Sequence, residues 1–63
     1  MVFQTRSETN GILEFVSFDA ALGEALKDKT VWKISFTIPE TNERIRLVRS
    51  ELGWLYEPIM VWN

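Results

Sequence analysis

Lys33, Arg44, Arg46 and Arg49 form a basic set that could make a cationic stripe on an open sheet face and contact phosphates. Arg6 is a candidate neighbour of that stripe. A turn at Ser50 to Gly53 that pairs Arg49 with Trp54 also sets Arg46 opposite Glu57, and the resulting cross-strand ion pair neutralises part of the charge. A solvated sheet face accounts for the same residues, since nine acidic side chains accompany seven basic ones. Lys33, Arg44 and Arg46 are therefore candidates for anion contact within a chain whose overall charge of -2 draws no polyanion.

Other chemistry is poorly supplied. The chain has no histidine and no cysteine, so the commonest general base, the soft metal ligands and the thiol nucleophile are missing together. Glu40 and Glu43 flank a turn, while Asp19 and Glu24 fall on a helix, so no two carboxylates are forced into an apolar pocket that would separate their pKa values. Gly11, Gly23 and Gly53 are isolated, which leaves neither a phosphate-cradling loop nor an oxygen-rich cation loop. The expectation is a non-enzymatic protein with no metal, no cofactor and no small-molecule substrate.

Aromatic residues offer the second group of candidates. Trp54, Tyr56 and Trp62 could stack on a partner or fill its pockets, or could simply be core, and Ile59, Met60, Val61 and Trp62 form an apolar tail. That tail is either a last strand within the sheet or a patch covered by a second copy. Trp54, Tyr56, Ile59, Met60 and Trp62 are accordingly the candidate partner-binding residues. Trp32, in line with Ile34 and Phe36, reads as core.

Periodicity along the chain gives the helix and strands that carry these side chains. Phe18, Ala21, Leu22, Ala25 and Leu26 form one apolar stripe, predicting a helix over 18–28 with Ser17 as its cap and Asp19 and Lys27 complementing its dipole. Gly23 weakens that helix, and its presence suggests close approach of the helix backbone to the sheet. Thr9-Asn10-Gly11-Ile12 reads as a two-residue type I′ hairpin turn between strands at 2–8 and 12–17. The first has no clean apolar face and reads as an edge strand, whereas the second is apolar at Ile12, Leu13, Phe15 and Val16. Residues 31–38 alternate cleanly, making this strand the centre of the fold, and 44–49 alternates again before a last strand from Trp54. That last strand reads as Trp54 to Glu57, with an extension past Pro58 towards Trp62.

The order is β-β-α-β-β-β, an α+β domain with one helix covering one face of a mostly antiparallel sheet, occupying 1–63 as a single compact unit. A composition 46% hydrophobic and 13% aromatic suits a packed chain. Domains of about 60 residues bury only about 60% of their unfolded surface, and without cysteine or histidine the remaining staple is oligomerisation. No basic segment precedes an apolar leader, and no apolar run nears the roughly 18 residues of a membrane span, so the expected setting is soluble and cytoplasmic. The leading functional expectation is an interaction or accessory protein, a homodimer built on a sheet edge or the apolar C-terminal segment. The alternative is a nucleic-acid binder whose open sheet face sets Lys33, Arg44 and Arg46 on phosphates and stacks Trp54 or Tyr56 on bases.

Overall fold

A computed structural model describes the backbone of residues 1–60 and the side chains of residues 1–57. Its elements are β1 (Phe3–Ser7), β2 (Gly11–Phe15), α1 (Phe18–Lys27), β3 (Lys33–Ile38), β4 (Glu43–Ser50) and β5 (Gly53–Met60). The strands form a five-stranded sheet in the order β2-β1-β3-β4-β5, every neighbouring pair antiparallel. One helix lies on one face of this sheet, so the protein has the α+β architecture that its periodicities predict.

The register assigns side chains to faces. Thr5 lies opposite Ile34, Ile34 opposite Leu47, and Leu47 opposite Tyr56, so these residues and their alternate neighbours share the helix side. There Ala21, Ala25, Val31 and Ile34 are buried together, with Phe3, Phe15, Phe18, Leu22, Leu47 and Trp54 packed against them. The helix starts where expected: the Ser17 hydroxyl oxygen accepts from the Ala20 amide at 3.1 Å. Its closest residues to the sheet are alanines, which lets the two backbones approach.

Two helix expectations are corrected. Leu26 is 75% exposed rather than part of the core. It lies about 140° round the helix from Ala21, at the far margin of the stripe and in the last turn, beyond the strands beneath. Gly23 makes no close approach to the sheet, since a Cβ there would meet nothing within 4 Å.

The first hairpin also differs from expectation. Ser7 pairs with Gly11 across a three-residue loop, and only Gly11, at φ 65, takes the left-handed conformation, so the turn is not type I′. The Ser7 hydroxyl accepts from the Asn10 amide at 2.9 Å and holds this longer loop. A second anchor comes from the α1–β3 connection. Thr30 gives both its amide and its hydroxyl to the Asp28 carboxylate, at 2.9 and 2.8 Å, and its hydroxyl oxygen meets that of Thr9 at 3.0 Å. With its own proton committed to Asp28, Thr30 accepts and Thr9 donates. The same two bonds from Thr30 hold the Asp28 carboxyl below its ordinary pKa.

β1 is not an edge strand but lies between β2 and β3. Its polar character fits that place, because Thr5 and Ser7 are small enough to be buried under the helix while Gln4 and Arg6 lie on the open face beside Ser35 and Lys33. Val16, 90% exposed, falls between the end of β2 and the helix cap. Trp32 is 42% exposed and precedes β3; its amide donates to Arg6 and its carbonyl accepts from Arg49, while its ring sits at the end of the sheet. The tail residues 61–63, Trp62 among them, lie outside the described residues, as do the side chains of Ile59 and Met60.

Candidate functional site

Among the described residues two surfaces stand open, on opposite sides of the sheet. On the helix side, α1 packs mainly over β1 and β2 and meets β4 and β5 around Arg49 and Trp54. Phe3, Phe18, Phe36, Ile45, Leu47 and Tyr56 then line an open apolar groove of about 370 Å³ between the helix and β5. Tyr56 is 60% exposed at its outer wall. Trp54 is half-buried beneath Arg49, whose guanidinium carbon stands 4.8 Å from the ring centroid. Beyond Tyr56 the groove meets the outer backbone edge of β5, which has no neighbouring strand among the described residues.

On the other side, Arg6, Lys33, Arg44 and Arg46 share the open face with two acids, Glu14 and Glu57. Arg46 is committed to Glu57 at 2.8 Å, the ion pair that the register of the last hairpin predicts. Arg44 lies across the strands, donating to Thr37 at 3.2 Å, Ser35 at 3.1 Å and Gln4 at 3.3 Å. Lys33 stands among them, 5.4 Å from the Trp32 ring centroid. Partial burial, then the neighbouring charges of Arg6, Arg46 and Arg44, pull its pKa below the ordinary lysine value.

The candidates are thus divided rather than gathered. Strand alternation sends Trp54 and Tyr56 to the helix side and Lys33, Arg44 and Arg46 to the open side, so one nucleic-acid strand lying on the basic face cannot stack on those aromatics. Arg49 leaves the stripe altogether: it faces the helix and donates to the Ala25 carbonyl at 2.7 Å. Arg6 takes its place.

Sequence reasoning missed the groove. A helix with its side chains is about 10–12 Å across, whereas five strands spaced about 4.8 Å apart span about 19 Å, so one helix can roof only part of the sheet. That mismatch between one apolar stripe and five strands was the available signal. Among the described residues no group of histidine, cysteine, aspartate or glutamate could hold a metal ion, and no helix is long and apolar enough to cross a membrane. No protein-family model, curated protein or solved structure matches the chain.

Proposed function

We propose that this chain is a non-enzymatic interaction domain that works as a pair of identical copies, joined at the free edge of β5 and the apolar groove beside it. The groove carries the reading. Isolated exposed apolar residues are ordinary on a protein surface, but Phe3, Phe18, Phe36, Leu47 and Tyr56 line one continuous hollow. Its counterpart among the described residues is a small buried core of two alanines, one valine and two isoleucines, Ile45 being shared with the groove wall. A chain of this size gains apolar burial most readily from a second copy. A cytoplasmic setting belongs to the same reading.

Light scattering after size-exclusion chromatography across a dilution series tests it. The expected mass falls from about twice 7.4 kDa towards 7.4 kDa as the protein is diluted. A mass of 7.4 kDa at every concentration up to the millimolar range defeats the proposal.

A second reading rests on Lys33, which shares the open face with Arg6, Arg44 and Arg46 and whose pKa their charges help to lower. Such a face suits the phosphates of a nucleic-acid backbone, contacted without base stacking. A gel shift with duplex and single-stranded oligonucleotides at about 50 mM salt decides, because phosphate contacts weaken steeply above that concentration. Absence of a shift there removes the second reading and leaves the first intact.

A further inference from the structure

We infer that β5 pairs antiparallel with β5 of a second copy in one particular register, the two-fold axis passing between Leu55 of one protomer and Leu55 of the partner subunit. The inference rests on the self-association proposed above and specifies its geometry. It follows from which backbone groups of β5 face outward.

The Arg49 amide donates to the Trp32 carbonyl at 3.0 Å, so the odd-numbered residues of β4 direct their backbone bonds to β3 and the even-numbered ones to β5. Arg46 lies opposite Glu57 and Val48 opposite Leu55, so the odd-numbered residues of β5 bond inward to β4. Trp54, Tyr56 and Pro58 therefore turn their backbones to the free edge. Pro58 has no N–H, so at this outward position it costs the β4–β5 ladder nothing while denying an added strand one donor. The stretch able to accept a partner strand in full is 53–57, bounded by the turn and by Pro58, and its midpoint is Leu55.

Neighbouring registers fail at those boundaries. Moving the axis to Tyr56 would set Pro58 opposite the partner's Trp54, where the proline ring meets a carbonyl that needs a donor. Moving it to Trp54 would ask Leu52 to bond the partner's Tyr56, but the Leu52 amide already donates to the Ser50 hydroxyl at 3.1 Å within the turn. With the axis at Leu55, Trp54 and the partner's Tyr56 exchange both backbone bonds, and so do the symmetric pair. Trp54 then lies beside the partner's Tyr56 on the helix side, carrying the apolar groove across the axis. On the open side Leu55, 49% exposed, meets its own counterpart, and Glu57 faces the partner's Gly53, so no like charges oppose each other.

The edge of β2 is a poorer candidate, because α1 packs over that strand while the apolar groove opens beside β5.

Because the chain has no cysteine, single thiols report the register directly. The Leu55 pair is of the closely approaching kind, with Cα atoms about 4.5 Å apart, within disulfide reach. Leu55→Cys, Tyr56→Cys and Glu57→Cys are oxidised at a concentration where light scattering shows the dimer. Coupling of Leu55→Cys at least tenfold faster than of the other two is expected. Fastest coupling at 56 or 57 overturns the register. A dimer in which none of the three couples overturns the register but leaves self-association standing, whereas a monomer throughout overturns both. Hydrogen exchange on the unsubstituted chain guards against a poorly behaved variant: protection of the Trp54 and Tyr56 amides must rise with concentration, and protection that stays constant through dimer formation rejects the pairing.

Discussion

Beneath α1, strands β1 and β2 meet a helix whose nearest residues are Ala21 and Ala25, whereas beyond β3 the same side of the sheet presents Leu47 and Tyr56 to an open groove. Both halves have apolar residues on that side, Phe3 and Phe15 in one and Ile45 and Leu47 in the other, so the difference lies in what the chain supplies to cover them. A single ten-residue helix roofs one half; the other half needs material from elsewhere. The covered half supplies the stability of the monomer, and the uncovered half supplies a surface that gains by association.

The largest expected effect separates the two directly. Ile34 is fully buried at the centre of the sheet, and Ile34→Ala should cost about 2–5 kcal/mol, through lost burial and the cavity left behind. Tyr56→Ala, measured at a concentration where the protein is monomeric, should change stability by no more than about 0.5 kcal/mol, as for most exposed positions. Equilibrium urea unfolding of both variants is the measurement. Equal losses would mean that the groove is core in the monomer, and the contrast between the halves would disappear.

Arg49 is the link across that boundary. Its guanidinium donates to Ala25 in the last turns of α1, where carbonyls run out of helical partners, and it also lies against Trp54 in the outer strand. Arg49→Met keeps the length of the side chain but removes the charged donor, so a loss of roughly 1.5–3 kcal/mol is expected, in the range of hydrogen bonds from charged groups. Hydrogen exchange should show the helix C-terminus opening first. A loss spread evenly over all strands would indicate that Arg49 does not couple the halves.

What could be read from the residues alone follows the same division. Local signals were legible: Ser17 caps the helix, 33–38 alternates as the central strand, and the short last turn sets Arg46 on Glu57. These depend on contacts a few residues apart or on a register fixed by one turn. The position of β1 depends instead on its pairing with β3 across the whole of α1, and nothing in Gln4, Thr5 or Arg6 encodes that partner. Trp32 and Leu26 are apolar and in phase with their elements, yet each lies past the end of what the opposite layer covers. Arg49 is in phase with Ile45 and Leu47, so alternation alone puts it on the helix side, although its charge suggests kinship with Arg44 and Arg46.

Gly23 gives the smallest effect and tests the outer surface of the covered half. It occupies the interior of α1, exposed to solvent, and an added Cβ would meet nothing within 4 Å. A glycine in that position costs a helix about 0.5–1 kcal/mol relative to alanine, because the unfolded chain has more freedom to lose, so Gly23→Ala should raise stability by that amount. Urea unfolding at low concentration checks the gain, and light scattering checks that the dimer is retained. A variant that is more stable as a monomer yet no longer associates would place the contact between copies on the outside of α1 and not at β5. A variant with both properties intact leaves β5 and its groove as the associating surface, with the helix acting only as a roof.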